Sequence, residues 1–298
     1  MGRKVNLKSV FYKIILRILI LAPLLLTMKY EVEFISLRGS YYSLNLKRKV
    51  RFRWVAPPNY PESPKGFPVL LMNDGQDYMG MGLEKTLTAG FASRAVRPFI
   101  YVGIEANVHR IQEYGTAHSA DYKGRGKKAG AYSRFIMEEF IPFLKETYNL
   151  SPINEDWVYC GMSLGGLSAL DIVINHPGEF GKAGVFSGSF WWRNAAYVKS
   201  DQADRSRVIL NLIHDSDFAP HLRFWFQCGT EDETADRNQN GIIDSIDDTL
   251  DVIRELEAKG YRQPSDITYV QVDGGRHDLP TWGKSFPDFI HWAFRKND

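Results

Sequence analysis

The chain has 298 residues, 44% hydrophobic and 24% charged, enough for one large domain with a sizeable core and too apolar for wholesale disorder. The net charge is +2, but Arg3, Lys4, Lys8, Lys13 and Arg17 stand in residues 1–27 without an acid beside them. The remainder is therefore net acidic and gives no reason to expect nucleic-acid binding. Only two cysteines occur, Cys160 and Cys228, which read as small buried apolar residues rather than a disulfide framework.

Residues 1–27 stand apart from the rest. A basic stretch precedes the short apolar run Ile18 to Leu26, as in a signal or anchor, yet Thr27-Met28-Lys29 lacks a small-residue cleavage site. Three readings stay open: a translated upstream extension, a signal or anchor segment, and an amphipathic leader. A start at Met28 and a cytoplasmic protein is the preferred expectation. A signal would make the protein periplasmic or secreted, and membrane association is expected only if residues 1–27 are kept.

From Met28 the pattern is that of one domain, residues 28–298. Tyr30 to Leu37 and Lys49 to Val55 alternate as strands, with a turn expected at Arg38-Gly39-Ser40. Phe67 to Met72 and Pro98 to Ile104 read as strands buried on both faces. Helices are expected around Leu83 to Val96 and Tyr132 to Tyr148. Trp157 to Cys160 and Ala183 to Phe186 are further strands, separated by a helix around Leu167 to Ile174. Beyond an irregular stretch lie a strand at Leu222 to Cys228, a helix at Ser245 to Lys259, a strand at Ile267 to Val272 and a helix at Trp282 to Phe294. Strands alternating with helices predict an α/β fold with a mostly parallel central sheet and helices on both faces.

Gly161-Met162-Ser163-Leu164-Gly165 lies between a strand and a helix, the context of a nucleophile elbow. Side chains at Gly161 and Gly165 would collide there, and the following helix points free N–H groups at a developing oxyanion. A nucleophilic serine needs a base, an acid and an oxyanion hole, in the chain order Ser, acid, His. His109 and His118 precede the serine, His214 and His221 precede the best acid, and His176 and His291 belong to helices. His277, in Asp273-Gly274-Gly275-Arg276-His277 after the last strand, is the expected base. Glu231, Asp232 and Glu233 all follow the preceding strand; Asp232 is chosen, with the other two left open. Leu164 N–H and Gln76 N–H, the latter in Asp74-Gly75-Gln76, are the expected oxyanion donors.

These motifs together resemble the Putative esterase family, which includes enterobactin-type siderophore esterases, feruloyl esterases, S-formylglutathione hydrolases and, more distantly, mycolyltransferases. Arg110-x-x-Glu113-Tyr114 is similar to a segment of the siderophore-esterase branch. The resemblance covers about residues 30–295 and implies an α/β-hydrolase fold, a Ser163, Asp232 and His277 triad, and oxyanion donors at Gln76 and Leu164. It implies no single substrate; a carboxylic ester hydrolase with no catalytic cofactor, acting on a small-molecule or carbohydrate-linked ester, is expected, with no nucleic-acid partner. Arg110, Tyr114, Trp191, Trp192 and Trp282 are candidate substrate contacts. An acyltransferase using the same triad is one alternative, and a non-catalytic calcium-dependent binding protein is another.

A separate feature follows the acid. Asp236-x-Asn238-x-Asn240-Gly241-Ile242-Ile243-Asp244-x-x-Asp247 reads as a twelve-residue calcium loop. Asp236, Asn238, Asn240 and Asp244 supply side-chain oxygens, Ile242 a carbonyl and Asp247 the closing carboxylate. A structural Ca2+ is expected there.

Overall fold

The computed structural model describes residues 35–58, 60, 63–198 and 206–296. Residues 1–27, the Met28 start and the first part of the strand expected from Tyr30 lie outside them. Eight strands form one sheet in the order β1-β2-β4-β3-β5-β6-β7-β8. They are β1 (Ile35–Ser43), β2 (Arg48–Ala56), β3 (Val69–Asn73), β4 (Ile100–Ile104), β5 (Trp157–Met162), β6 (Lys182–Phe186), β7 (Arg223–Glu231) and β8 (Ile267–Arg276). β2 pairs antiparallel with both β1 and β4 and the other pairings are parallel, the arrangement of an α/β hydrolase.

The central strands explain their own composition. β3, β4 and β5 are buried at every residue, because helices cover both faces of a parallel sheet. One face buries Leu71, Val102, Tyr159, Val185 and Phe226, and the other Leu70, Met72, Tyr101, Val158 and Cys160. The helices that matter below are α1 (Leu83–Ser93), α2 (Arg110–Glu113), α3 (Ala129–Arg134), α4 (Ile141–Thr147), α5 (Leu164–Asn175), α6 (Val208–Asp215), α7 (Asp244–Lys259) and α8 (Leu279–Phe294). α5 is apolar nearly all round because it is buried from Leu164 through Ile174. The helix expected at 132–148 is interrupted by a π-helical turn, Phe135–Phe140, directly before Pro142, whose ring nitrogen cannot donate to the preceding turn.

Two expectations change. Arg38-Gly39-Ser40 is no turn but the middle of β1, and the chain reverses at residues 44–47 instead. Gly39 is tolerated in the strand because the Phe52 ring of β2 fills its side-chain space; a Cβ there would come within 2.3 Å of the ring. β8 also continues past Val272 to Arg276, so the expected glycine-rich loop is strand. Gly229 of β7 lies flat against the Gly275 backbone, and the register shifts beside it, between Gly229 and Glu231.

Candidate active site

Strand β5 ends at Met162 and α5 begins at Leu164, leaving Ser163 alone to turn the chain. Its backbone is held at φ 54°, ψ −123°, a costly conformation for a residue with a side chain. The glycines make the turn possible. A Cβ on Gly161 would lie 2.5 Å from the Gly165 backbone, and one on Gly165 would lie 2.7 Å from Asp74 Oδ2. Ser163 N–H donates to Phe186 O at 2.9 Å, and its Oγ lies 3.2 Å from Ser189 Oγ. Leu164 opens α5, so its N–H has no acceptor within the helix.

The second expected donor is held by the sheet. Asp74 takes the left-handed conformation (φ 59°) and starts the 3-10 turn Gly75–Tyr78 that carries Gln76. Gly75 crosses directly over Gly103 of β4, where an added Cβ would meet backbone at 2.3 Å. Asn73 braces the same region. Its Oδ1 accepts from Tyr132 and Tyr159 hydroxyls at 2.7 and 2.8 Å, and its Nδ2 donates to Gly165 O at 2.8 Å. Gln76 Oε1 accepts from Ala106 N–H at 2.9 Å.

Asp232 follows β7 and His277 follows β8, at the same end of the sheet as Ser163. The three acidic candidates separate by environment. Glu231 is exposed and paired with Arg276 at 3.0 Å. Glu233 lies near Ser245, Asp244 and Asp248. Asp232 is the one whose charge bears on His277. Burial raises the Asp232 carboxyl above its ordinary range, while Ser187, the Gly229 backbone and His277 oppose that rise. Neither Asp232 oxygen meets a donor at full hydrogen-bond geometry among the described residues. Partial desolvation holds the His277 imidazole below its ordinary value, with Arg110 pushing the same way and Asp232 and Asp278 pulling it up.

Trp282 braces this half of the site. Its ring meets His277 edge-on at 5.0 Å between centroids, and its indole N–H donates to Ser187 Oγ at 2.9 Å. It is nearly buried, so it packs beside the base rather than spreading along a pocket wall. Trp192 is fully buried against Gly115 and Gly126 and cannot touch substrate. Trp191 remains accessible, with the Arg125 guanidinium 4.7 Å over its ring. Tyr114 is likewise buried, and its hydroxyl accepts from Asp74 N–H at 3.2 Å, so it supports the turn instead of contacting substrate. Arg110 reaches the site at 33% side-chain exposure, bound at two points to buried Asp74. Glu113 completes the segment by pairing with Arg48 of β2.

Ser187 and Ser189 were not singled out from the sequence. Both follow β6 and both are buried beside the elbow. The available signal was a Ser-Gly-Ser run at the catalytic end of a parallel strand.

The acidic loop follows Asp232 in the chain. Asn238 Nδ2 donates to Asp247 Oδ2 at 2.7 Å, and Asp236 accepts from the N–H groups of Asn240 and Gly241. Asp244 departs from expectation, because both its oxygens engage Arg237. Among the described residues no three His, Cys, Asp or Glu side chains gather as a metal site, which leaves the two asparagines and the Ile242 carbonyl as the other oxygens in the loop.

The family model described as Putative esterase matches residues 43–292. The chain belongs to that family, and with it to the carboxylic ester hydrolases. It is 26% identical over 254 residues to the uncharacterized protein YbbA of Bacillus subtilis (strain 168), covering 83% of this chain and 93% of that protein. It is also 26% identical to the Iron(III) enterobactin esterase of Dickeya dadantii (strain 3937), covering 82% of this chain and 52% of that enzyme. The crystal structure of the enterobactin esterase FES from Shigella flexneri in the presence of enterobactin superposes with a TM-score of 0.68 at 20% identity. That match covers 87% of this chain and 58% of the Shigella one, and it bears on the fold alone. The chain thus spans little more than half the length of these enterobactin esterases.

Proposed function

We propose that this esterase works through Ser163, His277 and Asp232 and passes through an acyl-enzyme. Ser163 Oγ attacks the ester carbonyl while His277 takes its proton, and Asp232 orients and stabilises the imidazolium. The N–H groups of Leu164 and Gln76 receive the oxyanion. His277 then gives its proton to the departing alcohol, and water releases the acid by the same route. The observation that carries this reading is the strained Ser163 turn, at the sheet end where Asp232 and His277 also emerge. A neutral imidazole, favoured by its lowered pKa, is the form a general base needs.

The test is labelling with a fluorophosphonate probe, followed by turnover of simple esters. Wild type is expected to label, and Ser163→Ala and His277→Ala to lose both labelling and turnover. A folded wild type that neither labels nor turns over any ester sinks the mechanism. The named relatives make enterobactin one substrate to include. We also propose a cytoplasmic location, which fractionating cells that express the full sequence checks.

We further propose a structural calcium ion held by Asp236, Asn238, Asn240, the Ile242 carbonyl and Asp247. It supplies no catalytic chemistry. It would anchor the stretch between Asp232 and α7, where Asp244 N–H already donates to Ala235 O at 2.7 Å.

A further inference from the structure

Strands β1 and β2 place three guanidinium groups on one face of the sheet edge. Arg38 stands directly across from Arg53 in the antiparallel register, and Arg51 lies two residues away on β2, on the same face. Like charges directly opposed on neighbouring strands are destabilising. Compensation among the described residues is thin. Glu105 takes Arg51 at 2.9 Å. Arg53 lies over the Tyr78 ring at 4.5 Å and donates to Ser36 Oγ at 3.0 Å. No carboxylate among the described residues pairs with Arg38 or Arg53.

These three arginines wall a cavity of about 290 Å3 that is also lined by Gly39, Gly75, Gln76, Met79 and Glu105, the last offsetting Arg51 and leaving the Arg38 and Arg53 charges in excess. Gln76 is also the residue whose N–H is proposed above to receive the oxyanion, and its side chain is tied to Asp74 and Ala106. The cavity therefore adjoins the place where the ester carbonyl would sit. Its volume suits a small group on a short arm, and guanidinium forks match a planar carboxylate or a sulfonate.

We propose that this pocket receives an anionic group of carboxylate or sulfonate type carried by the substrate, making the enzyme selective for acidic esters. The proposal rests on the esterase mechanism above and adds the substrate class. A bound anion would relieve the Arg38–Arg53 opposition, which no carboxylate among the described residues does by pairing with either arginine.

Two matched pairs of esters test it. Mono-4-nitrophenyl suberate against 4-nitrophenyl octanoate places the anion on the acyl side. 4-Carboxyphenyl butyrate against 4-carbamoylphenyl butyrate places it on the alcohol side. In at least one pair the acidic ester is expected to show a kcat/KM about tenfold higher or more. That ratio falls by about tenfold in both Arg38→Ala and Arg53→Gln, and it falls as NaCl is raised. The pair that responds identifies the side of the substrate. No acidic preference in either pair, or a preference that survives both substitutions, overturns the proposal. Reading the ratio within each variant cancels any loss of folded protein. If no ester is turned over, the mechanism fails rather than the pocket. Calorimetric binding of suberate to the Ser163→Ala protein then decides the pocket: binding lost on adding Arg38→Ala supports it, and no binding at low salt overturns it.

Discussion

Arg110 and Asp74 meet at two points, 2.7 and 2.8 Å apart, with the carboxylate 2% exposed and the guanidinium open to the site. Burial is the main cause of the lowered His277 pKa, and the Arg110 charge adds to it against the opposite pull of Asp232 and Asp278; the base proposed at His277 works only when neutral. Activity is therefore expected above the folded pKa and lost as pH falls through it, with the acid limb of kcat/KM below the ordinary histidine value of 6.5. Arg110→Gln removes the lowering charge and leaves Asp74 uncompensated, and both changes move the limb to higher pH. A limb that stays put or moves down contradicts this placement of Arg110.

The acid assignment is open to a direct comparison. Asp232→Asn is expected to lower kcat by something on the order of 10^4-fold, as loss of an orienting carboxylate does in a serine triad. Glu231→Gln removes only an exposed pair with Arg276 and is expected to change kcat by less than about twofold. Equal losses in the two variants would reassign the acid.

Strain at Ser163 predicts a gain in stability when function is removed. Glycine adopts a positive φ without penalty, so Ser163→Gly is expected to raise unfolding free energy by about 1 kcal/mol while abolishing turnover. Urea denaturation of the two proteins measures it, and a destabilised glycine variant would show that the serine side chain contributes more than its backbone costs.

Asp171 of α5 carries the reverse kind of cost. It is buried, Oδ2 accepts from Ala117 N–H at 3.0 Å, and Oδ1 has no partner among the described residues. Burial pushes its carboxyl up to about 7 from the ordinary 3.8, against the pull of the Ala117 N–H. The folded state thus holds a proton that the unfolded state has released, and stability falls as pH rises through that window. Asp171→Asn keeps the carbonyl acceptor without the charge. Its advantage is expected to be smallest near pH 4 and to reach something on the order of 2 kcal/mol by pH 8. A pH-independent difference in urea midpoints would be incompatible with a titrating Asp171.

Calcium removal should act on stability first. If the loop from Asp236 to Asp247 binds the ion, added calcium raises the melting temperature. The gain is about 2.7 kcal/mol when free calcium stands at about 100 times its dissociation constant. A chelator reverses the gain, and Asp236→Ala abolishes the response. Identical melting with calcium and with chelator removes the ion from the proposal.

Much of the frame was legible in the chain because its signals are local. The strand, Gly-x-Ser-x-Gly and helix around Ser163 carry their own periodicity and their own steric demand. The unread parts depend on partners distant in sequence. Gly39 looks like a turn until Phe52 is set across from it. Tyr114 and Trp192 read from the chain as candidate substrate contacts, and only the fold reveals that one supports the Asp74 turn and the other fills the space beside Gly115 and Gly126. The opposition of Arg38 and Arg53 is a matter of strand register, which hydrophobic alternation does not reveal once the turn is misplaced.

The crossing of Gly75 over Gly103 has a consequence for descent. The turn bearing Gln76 rests on the backbone of a neighbouring strand, so it moves only if the sheet moves. The segments that carry Arg110 and Trp191, residues 105–128 and 189–198, are mostly connecting chain outside the sheet. A lineage can rewrite them, and so change what is cleaved, while the apparatus that cleaves is inherited intact.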